Sequence, residues 1–229
     1  MSFWDWFRFV LLYNWFFWWI AVIVIVLAAT PFVHRVRLWQ ARRRFIDSQG
    51  AKLLNPQNAD ARFQLANLYA DGRSWRRALE HATDAVRVAE ANPLYEGKVP
   101  YHFLRLLGDA YYHRGRHDEA AAAYGRALEV KADLGHGDAL FGLGRAWLRK
   151  GELEKAVDAL RRALRENGSN LEAYFRLAQA SALLGREEDV ASARREFRAV
   201  AASLPRFARQ RRLRWRLAFL LFPIVRHVA

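Results

Sequence analysis

Residues 104–127 read LRLLGDAYYHRGRHDEAAAAYGRA, and this stretch contains a spacing of small and large residues that the chain repeats. Its first half is Leu107-Gly108-x2-Tyr111, and the same arrangement recurs as Leu65-Ala66-x2-Tyr69, Leu143-Gly144-x2-Trp147 and Leu177-Ala178-x2-Ser181. A second set follows each copy at fixed distances: Ala78 and Ala85, Ala120 and Ala127, Ala156 and Ala163, and Val190 and Phe197. The copies begin 42, 36 and 34 residues apart, which indicates an array of structural repeats.

This spacing resembles the tetratricopeptide repeat, whose unit is 34 residues folded as two antiparallel helices. The resemblance covers residues 59–203 and implies an α-solenoid of about four helix pairs. Gly108 and Ala120 are expected to face each other's helices with no spare volume, whereas Ala121 is expected to be exposed. The fourth copy departs most from the pattern, as terminal repeats often do. The longer first offset fits an inserted polar loop at Glu90–Pro100, which is either functional or simply tolerated.

The resemblance also implies a concave surface lined by the first helix of each repeat. By helical spacing, the partner-binding residues there are expected to be Phe63, Asn67, Arg105, Tyr112, Phe141, Arg145, Arg149 and Phe175. Some members of the family clamp a peptide's terminal carboxylates with Lys and Asn at such positions, but here three of the four leading positions are Phe. An aromatic groove with a few arginines instead suits an amphipathic partner helix or an extended segment. The alternative is that Phe63, Phe141 and Phe175 pack between neighbouring repeats.

The N-terminal part of the chain is predicted to cross a membrane. Residues 9–29 are apolar except for Asn14, and 21 residues at 1.5 Å each suffice to cross a hydrocarbon layer about 30 Å thick. Tryptophans crowd this segment and flank it, as is typical of rings at headgroup depth. We therefore predict a short tail at residues 1–8 and a transmembrane helix at 9–31. A cleaved signal peptide is the alternative, although the basic residues follow the apolar run instead of preceding it.

The net charge of +14 lies at the two ends of the repeat domain. Arg35, Arg37, Arg42, Arg43 and Arg44 follow the predicted span without an intervening acid, and a second arginine block begins at Arg206. Residues 46–205 are close to neutral, which argues against a nucleic-acid-binding body. Because basic flanks stay cytoplasmic, the N-terminus should lie outside and the repeat domain in the cytoplasm, most simply at a bacterial inner membrane. Residues 32–58 are predicted to be a basic juxtamembrane and lead-in helix.

The C-terminal segment, residues 204–229, combines the second arginine block with an apolar run that is too short to span a bilayer. It is predicted to be a basic helix that binds an anionic membrane surface. Docking on the repeat core or on a partner subunit is the alternative. Together with the five arginines after the span, its predicted membrane-binding residues are Arg209, Arg211, Arg212, Arg214, Trp215, Arg216, Phe219 and Phe222.

Residues with catalytic or metal-binding chemistry do not form a recognisable site in this sequence. The chain has no cysteine, and His113 and His117 flank a predicted turn at Gly115. No glycine-rich phosphate loop and no nucleophile–base pair can be identified, so we predict no enzyme activity, no cofactor and no metal. The prediction is an all-α, membrane-anchored interaction scaffold, adaptor or assembly factor with a protein partner. The alternative is a permanent accessory subunit of a large membrane complex, with its apolar ends packed on partner subunits.

Overall fold

The computed structural model describes residues 3–6, 19, 20, 22, 36, 37, 39, 40, 58–96, 98–130, 137–203, 215 and 217–219. The chain divides into two compact units, Met1–Leu54 and Asn55–Ala229. Most of the predicted transmembrane helix at residues 9–31 lies outside the described residues. Among the residues that are described, no helix has the length and apolarity needed to cross a bilayer.

The described part of the second unit contains eight α-helices. They are α1 (Ala59–Asp71), α2 (Trp75–Ala91), α3 (Tyr101–His113), α4 (His117–Val130), α5 (Asp138–Lys150), α6 (Leu153–Glu166), α7 (Leu171–Leu183) and α8 (Glu187–Ser203). Each odd-numbered helix packs against the helix that follows it, and each pair packs against the next pair. The first helices of successive pairs also touch one another. The predicted all-α stack of helix pairs is therefore confirmed.

Tight turns join the two helices of each pair. Gly115, Gly151 and Gly185 occupy these turns with φ of 76°, 79° and 71°, a left-handed conformation that glycine adopts without steric cost. The turn of the first pair is different, because Arg73 adopts this conformation there, with φ of 54°. Two of the first helices begin with an asparagine cap: the side chain of Asn58 accepts from the Ala61 amide, and that of Asn170 from the Ala173 amide.

Tyr124 on α4 is the largest fully buried side chain of the stack. It lies between two glycines: a Cβ added at Gly108 would be 2.7 Å from its Cδ1, and one added at Gly142 would be 2.5 Å from its Cε1. The predicted lack of spare volume at Gly108 is therefore confirmed, and the atoms closest to it belong to Tyr124; Ala120, which was predicted to face this helix, is fully buried. The expectation that Ala121 is exposed was wrong, since this residue is partly buried against the core. The tyrosine ring occupies the space that the missing glycine side chains leave on two different helices.

The insertion between the first two pairs begins after α2 ends at Ala91. It contains a 3₁₀ turn at Pro93–Tyr95, and the side chain of Asn92 caps that turn by accepting from the Leu94 amide. Tyr95 fastens the insertion to α1 by donating its hydroxyl to Asp60 at 3.0 Å. Burial and this hydrogen bond raise the pKa of Tyr95 to about 12. The insertion is therefore attached to the stack by a side chain that stays neutral at ordinary pH.

Candidate functional site

The first-helix face is the surface formed by α1, α3, α5 and α7, and Asp109 on α3 is the centre of its polar network. Its carboxylate lies 2.9 Å from Nη1 of Arg105 and accepts a hydrogen bond of 2.7 Å from the hydroxyl of Tyr124. Nη2 of Arg145 on α5 lies 3.7 Å from the same carboxylate. Burial, followed by the nearby Asp109 charge, raises the pKa of Tyr124 well above its ordinary value. The network therefore holds a neutral tyrosine, a carboxylate and two arginines at the junction of the second and third pairs.

Arg145 lies between two aromatic rings. Its guanidinium carbon is 4.5 Å from the ring centroid of Tyr112 and 4.7 Å from that of Phe141. The arginine side chain is only 14% exposed, and its Nε has no hydrogen-bond partner among the described residues. Cation–π attraction strengthens when the cation is removed from water, so this stack holds the arginine in one position. The three predicted partner-binding residues Tyr112, Phe141 and Arg145 thus form one rigid cluster, which we call the arginine sandwich.

Phe63 and Phe175, two other predicted members of the groove, pack between repeats. The ring of Phe63 stacks on Phe103 of the next pair, with centroids 4.7 Å apart and 15° between the planes. Phe175 is only 7% exposed and lies 5.5 Å from Trp215 and 5.4 Å from Phe219. Packing between neighbouring repeats therefore describes Phe63, whereas Phe175 is covered by the C-terminal segment. The physical reason is that this position on a first helix points toward whichever element packs next in the stack.

The remaining predicted residues differ in accessibility. Asn67 on α1 is half-buried, Arg105 is half-buried in its ion pair with Asp109, and Arg149 is exposed at the end of α5. Phe141 is half-buried, in contrast to Phe175. Of the predicted partner-binding residues on α3 and α5, Arg105, Tyr112 and Phe141 are half-buried and Arg149 is exposed.

Arg176 on α7 is a residue that the sequence analysis missed. Its guanidinium donates to Gln179 at 3.1 Å, lies 3.4 Å from Glu172 and lies 5.8 Å from the ring centroid of Phe175. Glu172 and Arg176 are four residues apart on one helix, so their ion pair could have been predicted from the sequence.

The described residues of the C-terminal segment lie on the last helix pair. Trp215 is 7% exposed within the core cluster of α7 and α8, and the ring of Phe219 lies 4.4 Å from that of Phe197. These two side chains are docked on the repeat domain, whereas the sequence had predicted that both bind the membrane. Among the other predicted membrane-binding residues, Arg37 is exposed. The rest lie outside the described residues: Arg35, Arg42, Arg43, Arg44, Arg209, Arg211, Arg212, Arg214, Arg216 and Phe222.

Two histidines at the end of α3 and the start of α4 have lowered pKa values. Burial, reinforced by the positive charge of Arg145, lowers the pKa of His113, and burial likewise lowers that of His117. Within the part of the chain that the structure describes, no three histidine or carboxylate side chains lie close enough to hold a metal ion. The chemistry that this face offers to a partner is therefore aromatic contact and guanidinium hydrogen bonding.

Comparison with known proteins gives the same architecture. The tetratricopeptide repeat family model matches residues 63–134 and 105–170. A crystal structure of MamA is 18% identical, covers 73% of this chain and 90% of its own, and superposes with a TM-score of 0.60. YrrB, described as a TPR protein with an unusual peptide-binding site, is 16% identical over 76% of this chain and 84% of its own, with a TM-score of 0.58.

BtubC from P. vanneervenii is 17% identical over 65% of each chain, with a TM-score of 0.58. No curated protein matches the chain in sequence. Identities this low establish the fold alone, whereas the family model matches the sequence of the repeats themselves. The match to the tetratricopeptide repeat family therefore covers residues 63–170, slightly less than half of this chain.

Proposed function

We propose that this protein is a membrane-anchored interaction scaffold, adaptor or assembly factor whose first-helix face binds a helix or an extended segment of a partner protein. The observation that carries this proposal is the arginine sandwich. Two aromatic rings hold a guanidinium in place, so little conformational entropy is lost when a partner binds there. Arginine and tyrosine are among the residue types that contribute most to the binding energy of protein interfaces.

The chemistry of this face suggests the character of the partner segment. Tyr112 and Phe141 offer apolar surface, while the exposed Arg149 offers donors to carboxylates. An amphipathic segment with an acidic side chain beside an apolar one satisfies both groups. The peptide-binding site named for YrrB supports a peptide-like ligand, although that site belongs to YrrB.

Anchoring in the inner membrane is part of this proposal. Trp19, Ile20 and Val22 lie within the predicted span and are 51%, 41% and 48% exposed. Large apolar side chains exposed in the same short stretch are typical of a surface that contacts lipid. The five arginines after the span support a cytoplasmic location of the repeat domain.

The partner site can be tested by photo-crosslinking in native membranes. A benzophenone amino acid in place of Phe141 should give a discrete cross-linked product, whereas the same group in place of Leu94, which is 87% exposed on the insertion, should not. Adding Arg149→Glu should weaken cross-linking from position 141, because it puts a negative charge beside the partner's carboxylate. The matched control is Arg198→Glu, which alters an exposed arginine on α8.

Equal products from positions 141 and 94 would refute the site. A product that survives Arg149→Glu, together with a partner that co-purifies in detergent at fixed stoichiometry without irradiation, would favour the permanent accessory subunit. Thermal melting of each variant checks that the repeat domain remains folded.

A further inference from the structure

A second polar site lies between the start of α2 and the end of α3, separate from the arginine sandwich. It is a pocket of about 480 Å³, and its lining includes the arginines Arg73, Arg76, Arg77 and Arg114. Trp75 and His113 form one wall, with ring centroids 3.9 Å apart and 14° between the planes. Four guanidinium groups and a flat aromatic wall are thus brought together by two helix pairs.

The positive charge of this pocket is largely uncompensated. Among the described residues, Arg73, Arg76, Arg77 and Arg114 form no ion pair, although Arg77 lies 5.6 Å from the ring centroid of Tyr69. Glu80 is the one carboxylate in the lining. Most other arginines of the stack face an acid, as Arg62 faces Asp84 at 3.1 Å. Like charges that share a site repel one another, so an anionic ligand would lower the energy of this arrangement.

The conformation of Arg73 strengthens the argument. Glycine occupies the left-handed turn position in the other three pairs, but in the first pair the order is Gly72-Arg73, and the arginine takes the positive φ of 54°. A left-handed conformation is unfavourable for a residue with a Cβ. The fold therefore tolerates local strain at the position that adds a fourth guanidinium to the pocket.

The first turn of α2 also favours the binding of an anion. It contains Arg76 and Arg77 and no acid, although the positive end of the helix dipole favours an anion. Ser74 stands at the N-cap, yet its side chain makes no capping hydrogen bond. Hydroxyl and amide donors at this end of the helix are therefore available beside the four arginines.

We propose that this pocket binds a phosphate group, as inorganic phosphate, pyrophosphate or a phosphate monoester. Arginine forks match the geometry of phosphate oxygens, and several forks around one cavity accommodate more than one negative charge. This site does not depend on the protein partner proposed above. It would give the repeat domain a second ligand, held at the junction of the first two pairs.

The test is a titration of the full-length protein in detergent with pyrophosphate at constant ionic strength. The pKa of His113, followed by NMR and assigned with His113→Gln, is the readout because it reports on the pocket itself and not on the arginine blocks at the chain ends. Burial and neighbouring arginines lower this pKa, and a bound anion should raise it. Saturable binding with this shift is the expected result. If pyrophosphate leaves the pKa of His113 unchanged, the pocket does not bind pyrophosphate.

Variants separate a phosphate site from a general basic surface. Arg76→Ala and Arg114→Ala should each weaken pyrophosphate binding by about tenfold. The control Arg198→Ala, at an exposed arginine on α8, should leave the affinity unchanged. Arg73→Gly should raise the melting temperature, because it restores glycine at the left-handed position, and should weaken binding at the same time. Equal affinities for all four variants would refute the site.

A further arm identifies the source of the phosphate group. Vesicles that contain phosphatidic acid, compared with vesicles of phosphatidylcholine alone, present the same chemistry as a lipid headgroup. If Arg114→Ala weakens vesicle binding and pyrophosphate has no effect on His113, the ligand is a headgroup. If Arg114→Ala changes the binding of neither pyrophosphate nor the phosphatidic acid vesicles, the proposal fails.

Discussion

Replacing Gly142 by alanine should destabilise the repeat domain, even though alanine is the better helix former. The new Cβ would lie 2.5 Å from Cε1 of Tyr124 and would also collide with Cζ. Ordinary contacts between carbon atoms are about 3.5–4.0 Å, so the ring would have to move by about 1 Å. It has no room to do so, because Tyr124 is fully buried and its hydroxyl is bound to Asp109 at 2.7 Å.

The size of the stability change caused by Gly142→Ala follows from two opposing effects. Gly→Ala in a helix interior gains about 1 kcal/mol from backbone propensity. Overpacking a buried contact costs about 1–3 kcal/mol, and weakening the buried hydrogen bond to Asp109 adds a similar amount. We expect a net loss of about 2 kcal/mol. For a chain of this length, that corresponds to a melting temperature lower by about 4–8 °C.

Two further variants identify the cause. Gly125→Ala is the matched control, since Gly125 also lies inside a helix but its added Cβ would meet nothing within 4 Å, so this change should stabilise the protein. Tyr124→Leu removes the atoms that collide at Gly142, because leucine has no Cε1 or Cζ. In that background Gly142→Ala should become neutral or stabilising, with a coupling energy of about 2–3 kcal/mol.

The assay is thermal melting of the full-length variants in detergent, followed by circular dichroism at 222 nm. Stabilisation by Gly142→Ala equal to that by Gly125→Ala would show that the tyrosine does not fill this space. Additive effects of Gly142→Ala and Tyr124→Leu would lead to the same conclusion.

Three other outcomes are expected. Trp215→Ala should lower the free energy of unfolding by about 3 kcal/mol, whereas Leu217→Ala, at a residue 51% exposed, should change little in the same melt; no effect of Trp215→Ala would favour lipid as the environment of this side chain. Stability should fall as the pH drops below 6.5, because burial lowers the pKa of His81 in the folded chain, so the unfolded chain takes up the proton first. The stability of His81→Gln should therefore depend less steeply on pH in the same melts, and an unchanged slope would contradict this. A reporter enzyme fused at residue 50 should be active in the cytoplasm, and periplasmic activity would reverse the proposed orientation.

The sequence predicted the repeat register well because close packing leaves few choices of residue at the helix contacts. Gly108, Gly144 and Ala156 mark those contacts in the chain, and the structure has them buried. The residue that faces Gly108 was harder to predict, since several neighbours on α4 are small and only the helix rotation selects Tyr124.

The candidate site was only partly predictable from the sequence. Phe141 and Phe175 occupy the same position of their repeats, yet only Phe175 is covered, by Trp215 from a segment forty residues further along the chain. Local spacing carries no information about such a distant contact. The order Gly72-Arg73, which is reversed relative to the other three turns, was visible in the sequence. Its link to an anion site was not, because that link depends on which arginines the fold brings close to Arg73.

The two aromatic side chains that cover the last helix pair also bear on how this protein associates with itself. A stack of helix pairs has no inherent end, since each pair presents a surface on which another can be added. Trp215 and Phe219 occupy that surface, over Phe175 and Phe197. With these side chains withdrawn, the last pair would be open to the first pair of another copy, and head-to-tail contacts of this kind generate open filaments. The two docked side chains therefore cover part of the surface on which a further helix pair would otherwise pack.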